Sequence, residues 1–354
     1  MNILVALSGG VDSAVVAALM KSQGHRVIGV TMSIWREGRY QGGDKDACFG
    51  AGEKEDIAAA GEVCRLLGLQ HMVIDCAEEY ERLVLEHFRS QYLVGKTPNP
   101  CVRCNNLIKF GLLPQLAEKA GLDFDIFATG HYVRLEHGSD RVRMFSGREA
   151  AKDQSYFLYR LRQKQLARVW TPLGGYSKPE VRKIAGDFSL PVRDKPDSQD
   201  FYAGDYRELL GREARSGSIV HVSGRALGRH EGYWNFTVGQ RAGLGISYSA
   251  PLYVKQINAD RNEVVVGGAE TAIVRRLTAE DANWVSIPEP QEAFAAMLKV
   301  RSSGRAVPCR ARPKGDGAFE VDFPEGIFAA APGQSAVLYH DDMLLGGGII
   351  SAAN

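Results

Sequence analysis

The chain opens on a near-continuous apolar run, Ile3-Leu4-Val5-Ala6-Leu7, the pattern of a strand buried on both faces of a parallel sheet. A polar turn, Ser8–Ser13, separates it from Ala14–Lys21, which has helical composition and stops before Gly24. His25–Met32 is strand-like again, so the first thirty or so residues predict a βαβ crossover. The alternation continues with helices near Lys54–Leu67, Ala77–Tyr92 and Ile108–Ala120 and strands near His71–Asp75 and Phe124–Ala128. That order predicts an α/β fold, a doubly wound parallel sheet covered by helices. Beyond about residue 204 the period shortens. Alternating segments at Gly217–Val222, Leu252–Asn258, Glu263–Gly267, Ala295–Arg301, Phe319–Phe323 and Ser335–Tyr339 are separated by turn signals such as Asp260-Arg261-Asn262. The expected organisation is an α/β domain over 1–204, a small β-rich central domain over 205–275 and a C-terminal β-barrel over 276–354.

A length of 354 residues agrees with two or three domains, since single cores rarely stay undivided beyond about 250–300 residues. No apolar run approaches the roughly 20 residues needed to span a bilayer, and the first residues do not read as an export signal. Six cysteines in so long a chain do not make a disulfide framework, so reduced thiols in a cytoplasmic protein are expected. The balance of 43 basic and 42 acidic residues argues, as a whole-chain sum, against a nucleic-acid partner. The sum hides a local field: residues 134–195 hold 14 basic and 7 acidic side chains, a net of +7. A solvated helical face would explain such an excess, and so would a surface that tracks phosphates.

Two stretches carry candidate chemistry. In Ser8-Gly9-Gly10-Val11-Asp12-Ser13, glycines let the backbone approach an anion and the following helix offers unpaired N–H groups. Asp12 fits either a magnesium contact or a cap that locks the fold. The loop has neither the Walker A ending nor the dinucleotide spacing. In Thr97-Pro98-Asn99-Pro100-Cys101-Val102-Arg103-Cys104-Asn105, two prolines impose a rigid loop, and the two sulfurs can share a metal, form a disulfide or relay a persulfide. A zinc ribbon needs two such pairs, and the chain has one. Arg103 and a helix start near Cys104 are expected to lower that thiol toward the thiolate. Cys64, Cys76 and Cys309 fall in regular elements and read as core.

The glycine loop resembles that of the ATP-pyrophosphatase (PP-loop) superfamily, whose members cleave ATP between the α and β phosphates. With it, the Thr97–Asn105 loop, Ile108-Lys109-Phe110, Ala128–Tyr132, Lys152–Leu158, Asp197–Asp200, Thr237–Arg241, Ala331–Gln334 and Leu345–Gly348 resemble, in joint order along nearly the whole chain, the tRNA-specific 2-thiouridylases, the MnmA family. The resemblance implies ATP-dependent replacement of the 2-oxygen of a tRNA wobble uridine by sulfur, with Mg2+ and a sulfur donor such as a cysteine desulfurase or sulfur-relay protein. It implies ATP contacts at Ala6, Leu7, Ser8, Gly9, Gly10, Val11, Asp12, Ser13, Met32 and Gly130. It implies tRNA contacts at Asn99, Pro100, Cys101, His131, Lys152, Asp153, Gln154, Arg301, Ser302 and Gln334, and Cys104 as the sulfur-delivering nucleophile. Two other readings stay open: an adenylating ligase acting on a small molecule, and a non-catalytic RNA-binding protein holding zinc.

The chain departs from the family pattern at Ser302, where an aromatic is usual, at Cys101, where some members have Asp, and at a position that carries the sulfur chemistry. Where many members carry a second cysteine after the Asp-Ser-Gln-Asp stretch, this sequence has Tyr202, which cannot carry sulfane sulfur. Cys101 could take over as carrier or resolving thiol beside Cys104. Alternatively Cys48, Cys101 and Cys104 could hold a 4Fe–4S cluster with one open iron, or the protein could be inactive.

Overall fold

The computed structural model describes residues 1–40, 47–197, 201–202 and 204–354. The Ser198-Gln199-Asp200 part of the Asp197–Asp200 motif and part of the charged loop before Cys48 lie outside the described residues. Strands β1 (Asn2–Ala6), β2 (Arg26–Ser33), β3 (Gln70–Asp75), β4 (Ile126–Ala128) and, later in the chain, Val169–Trp170 form one parallel sheet in the spatial order β3, β2, β1, β4, Val169–Trp170. The apolar run of β1 is buried on both faces because alternate side chains enter different cores. Leu4 joins Val30, Ile108 and Phe127, while Ile3 and Val5 join Val15, Val63 and Val181.

Helices α1 (Val11–Ser22) and α2 (Glu53–Leu67) lie on the second of these cores. The first is covered by α3 (Ala77–Tyr80) and α4 (Glu86–Leu93), joined through a π-helical stretch Glu81–Leu85, and by α5 (Pro100–Cys104) and α6 (Leu113–Lys119), joined through a second at Asn105–Leu112. The helix expected from Ile108 therefore begins eight residues earlier, where Asn99 accepts a hydrogen bond from Val102 N at 3.1 Å and Pro100 takes the first turn. Among the described residues no helix is long and apolar enough to cross a membrane.

The chain then makes a hairpin, β5 (Val133–His137) and β6 (Val142–Ser146), before α7 (Gln163–Leu166), β7 (the Val169–Trp170 strand), α8 (Lys178–Asp187) and α9 (Tyr206–Leu210). The central unit is a four-stranded sheet of β8 (Gly217–His221), β9 (Ala226–His230), β10 (Tyr253–Asn258) and β11 (Glu263–Gly267) in the order β10, β11, β8, β9. The last six strands are β12 (Ile273–Trp284), β13 (Phe294–Lys299), β14 (Val307–Gly315), β15 (Ala318–Phe328), β16 (Ser335–His340) and β17 (Met343–Ala353). They run β12, β15, β14, β13, β16, β17 and close into a barrel through β12–β17 pairing.

The hairpin is not an appendage of the first domain. Met343 and Leu344 of β17 pair with Phe145 and Met144 of β6, so β5 and β6 extend the barrel's sheet. Around it, Tyr156 Oη donates to Ser335 O at 3.1 Å and Asn283 Nδ2 to Tyr159 O at 2.7 Å. The parallel-sheet unit and the barrel thus share a seam, which the period of the sequence did not reveal. The segment that pairs lies more than 100 residues before the barrel and reads only as a short alternating run.

Candidate functional site

A cavity of about 350 Å3 opens at the carboxyl end of β1, where a doubly wound sheet places its ligand crevice. Ala6, Leu7, Ser8, Gly10, Val11, Asp12, Ser13, Met32 and Gly130 line it, together with Cys48, Lys109, His131, Lys152 and Gln154. Gly9 lies beneath the wall. Its φ is +74°, and a Cβ there would meet Asp56 O at 2.3 Å, so no other residue fits. Ser13 Oγ accepts from Ser8 N at 3.1 Å and donates to Gly10 O at 3.1 Å, holding the loop in a closed turn. No side chain caps α1, whose first residues Val11, Asp12 and Ser13 line the cavity.

Asp12 does not reach into that opening as a bare carboxylate. Lys178 Nζ, from α8, donates to both its oxygens at 2.7 and 2.8 Å, and Tyr132 Oη donates to Oδ1 at 2.7 Å. The Tyr132 hydroxyl is pushed up by burial and by the adjacent carboxylate, so it stays a donor. Lys178 also pairs with Asp197 at 2.6 Å, and Lys152 meets the same carboxylate at 2.7 Å. Burial alone would raise Asp197. The hydrogen bonds from Lys152 and Lys178 outweigh it and hold the carboxyl below its ordinary value. Of the two readings of Asp12, the fold-locking one describes its partners.

The second half of the site is apolar. Cys104, 7% exposed, packs among Tyr80, Val102 and Ile108. Burial pushes its thiol up to about 11, against the downward pull of Lys109. The expected thiolate is therefore not its resting state, for two reasons. Cys104 closes the first turn of a helix that starts at Pro100, so no helix N-terminus points at it. Arg103 turns away to donate to Leu83 O, its own charge disfavoured by burial and by Arg160. Lys109 supplies the cation instead. In the π-helical stretch the residue five along returns to the same face, which brings Lys109 over Cys104. Nothing in the sequence spacing signals that, because a regular α-helix would separate the pair. His131 stacks obliquely on Phe110 at 5.3 Å, and its ring Nδ1 shares a hydrogen bond with Thr129 Oγ1 at 2.9 Å. Burial and the nearby Lys109 lower it to about 3, so the ring is neutral at neutral pH.

Cys101 is half-buried on the same helix turn as Cys104, and Cys48 is exposed at the cavity wall. Cys64, Cys76 and Cys309 are buried, as their placement in regular elements suggested. Among the described residues no group of three or more His, Cys, Asp and Glu is arranged to hold a metal ion, and the three-cysteine cluster site finds no support there. Tyr202 is 1% exposed, with its ring against Phe49 and its hydroxyl on Glu208.

Several residues expected at the tRNA interface are engaged within the fold. Asp153 accepts from Gly147 N and Ser155 N, each at 3.1 Å, and Gln154 Oε1 from Tyr132 N at 2.9 Å. Gln334 Nε2 donates to Thr97 O at 3.0 Å and Pro98 O at 3.2 Å, Thr97 N donates to Pro332 O at 2.8 Å, and Arg301 donates to Ala329 O at 2.9 Å. The barrel turn 331–334 thus grips the loop that leads into Cys104. Gly333 makes the grip possible: its φ is +91°, and a Cβ would sit 2.9 Å from the Thr97 backbone. Asn99 caps α5, Pro100 and Lys152 are half-exposed, and Ser302 is exposed. The basic segment is likewise largely spent: Arg134 pairs with Asp342, Arg160 with Asp281, Arg168 with Glu118, and Arg141 donates to Trp284 O and Val285 O.

Residues 1–202 match the family described as tRNA methyl transferase HUP domain, residues 208–268 its PRC-barrel domain, and residues 274–350 an aminomethyltransferase β-barrel domain. The chain is 45% identical to the tRNA-specific 2-thiouridylase MnmA of Endomicrobium trichonymphae, over 99% of both chains. It is 45% identical to that of Pelobacter propionicus, over 100% of this chain and 98% of the other, and 41% to that of Rickettsia typhi, over 99% and 98%.

Proposed function

The chain belongs to the tRNA-specific 2-thiouridylase MnmA family, and from that premise we propose that it replaces the 2-oxygen of the wobble uridine of tRNA by sulfur, in the cytoplasm and at the expense of ATP. The observation that carries this reading is one cavity shared by the uncapped α1 N-terminus, by Lys109 on the helical stretch that continues from Cys104, and by His131, whose ring meets Phe110 of that stretch.

The 2-oxygen of uracil is a poor leaving group. Attack of that oxygen on the α-phosphorus of ATP expels pyrophosphate and leaves AMP as a good one. Ser8, Gly9, Gly10 and Ser13 with the first N–H groups of α1 hold the pyrophosphate, while Ala6, Leu7, Val11, Met32 and Gly130 wall the nucleotide. Mg2+, if bound, would be held by the ATP phosphates and would offset their charge. Asp12, already neutralised by Lys178, orders the loop and is not assigned to the ion. The base is flipped out of the anticodon loop to face Asn99, Pro100 and Cys101. His131, Lys152, Asp153, Gln154, Arg301, Ser302 and Gln334 form or support the tRNA surface.

Cys104, bearing a sulfane sulfur from a cysteine desulfurase or relay protein, attacks C2 through the terminal sulfur, and AMP departs. Lys109 stabilises the anionic sulfur during the attack. Cys101, three residues earlier on the same helix, then attacks Cys104 Sγ. The S–S bond breaks, its electron pair stays on the uridine sulfur, and a Cys101–Cys104 disulfide remains for a thiol reductant to open. No step is routed through an iron–sulfur cluster, whose ligand set the described residues do not assemble.

Cys104→Ala tests the assignment. It is expected to abolish 2-thiouridine in nucleoside digests of tRNA incubated with ATP and donor, while tRNA affinity stays within about twofold. Full thiolation by this variant would overturn it.

A further inference from the structure

Sulfur has to enter the protein from outside, and neither position inherited from the family pattern is a port. Cys104 is 7% exposed in an apolar cluster, and Tyr202, at the family's second cysteine position, is 1% exposed and has no sulfur. Cys48 is exposed and lines the same cavity as Lys109. Its neighbour Phe49 anchors it to the segment that would otherwise carry the second cysteine. Phe49 N donates to Phe201 O at 2.8 Å, and the Phe49 ring lies 6.0 Å from that of Tyr202 and 5.1 Å from that of Tyr80. Burial opposes the Lys109 ammonium and the neighbouring Cys104, Cys48 and Cys101 sulfurs favour it, with the balance upward, and the same three sulfurs neighbour buried Tyr80. Cys48 therefore stands on the solvent side of the cavity that Lys109 lines.

We propose that Cys48 is the sulfur-entry residue, receiving sulfane sulfur from a donor protein's persulfide and passing it to Cys104. The proposal rests on the thiolation reading above. In the first exchange the Cys48 thiolate attacks the outer sulfur of the donor persulfide, and the donor leaves as a thiolate. In the second the Cys104 thiol, losing its proton, attacks the outer sulfur of the Cys48 persulfide. A Cys104 Sγ–S bond forms, the Cys48 S–S bond breaks, and the Cys104 proton passes to the departing Cys48 sulfur. Neither exchange changes the total oxidation state, so no oxidant or reductant is required. Lys109 compensates the anionic sulfur on both sides of the second transfer.

The test uses the full chain, radiolabelled L-cysteine and a cysteine desulfurase, with label mapped to peptides under non-reducing conditions. Cys104→Ala is expected to retain label on the Cys48 peptide. Cys48→Ser, a near-isosteric change at an exposed position, is expected to lose at least tenfold in labelling of Cys104 and in 2-thiouridine made with the desulfurase. Inorganic polysulfide, small enough to reach Cys104 directly, is expected to restore labelling and thiolation of that variant. Wild-type labelling of Cys104 in Cys48→Ser would overturn the relay, and so would label trapped on Cys101 instead of Cys48 in Cys104→Ala. Failure of polysulfide to rescue Cys48→Ser would also overturn it, by assigning the loss to altered structure. If the unaltered protein makes no 2-thiouridine from ATP, tRNA and either donor, the thiolation reading itself fails, whatever the labelling pattern.

Discussion

The two halves of the site are built on opposite principles. The Ser8–Ser13 loop is polar and held by fixed partners: glycine backbone, two serine hydroxyls, and an aspartate clamped by Lys178 and Tyr132. The Cys104 side is apolar and held by packing, with its nucleophile protonated at rest and a single cation, Lys109, offsetting part of the burial cost. An anion site gains from preorganised dipoles, which need no rearrangement when the phosphates arrive. A sulfur nucleophile gains from the reverse: a thiol kept neutral in a dry pocket resists stray alkylation and oxidation until substrate and sulfur are in place.

That contrast can be broken most forcefully on the polar side. The Lys178 side chain is 9% exposed and faces two carboxylates, so Lys178→Met leaves Asp12 and Asp197 with uncompensated charge. A loss of about 3–5 kcal/mol in chemical-denaturation stability is expected, and Asp12→Asn added to it should return part of the loss. The barrel's grip on the nucleophile loop comes next. Gly333→Ala forces a Cβ against the Thr97 backbone at a left-handed φ, for about 1–3 kcal/mol. Its effect is expected in kcat for thiolation, with the KM for ATP unchanged, because the ATP loop is built from other elements.

On the apolar side the expected effects are smaller and depend on pH. Alkylation of Cys104 by iodoacetamide should be slow at neutral pH and climb steadily toward about 11, and Lys109→Met should slow it further at every pH below that. The same shift has a stability consequence. The unfolded thiol ionises near about 8.5 and the folded one near about 11, so between these values the unfolded chain sheds its proton first and the fold weakens as pH rises. His131 acts at the other end. Its folded value is about 3 against about 6.5 unfolded, so stability declines as pH falls below about 6.5 toward 3. Urea midpoints across pH should show both slopes, and His131→Asn should remove the acid one.

The charge-rich segment shows why local composition misleads. A net +7 over residues 134–195 suggests a surface waiting for phosphates, yet Arg134, Arg141, Arg160 and Lys178 each reach partners more than 100 residues away in sequence. The three arginines build the seam between the α/β unit and the barrel, and Lys178 locks the Ser8–Ser13 loop within the α/β unit. Counting charges along a chain cannot tell a cation facing solvent from one facing a distant aspartate. The hairpin β5–β6 was hidden for the same reason, since the strand it pairs with lies at the far end of the chain.

The sequence by itself determined what depends on nearest neighbours along the chain. The two-face burial of Ile3–Ala6 followed from its unbroken apolar run, the turn at Gly9 from the glycine pair before a helix, and the buried state of Cys64 and Cys309 from their place in periodic elements. Tertiary structure alone decided what depends on partners brought from afar. Lys178 meets Asp12 across 166 positions, Gln334 holds Thr97 across 237, and a π-helical turn places Lys109 against Cys104. Even the ionisation of Cys104 belongs to the second group. Its two flanking signals, Arg103 and a nearby helix start, pointed to a thiolate, and burial, which is set by the whole fold, reversed the sign.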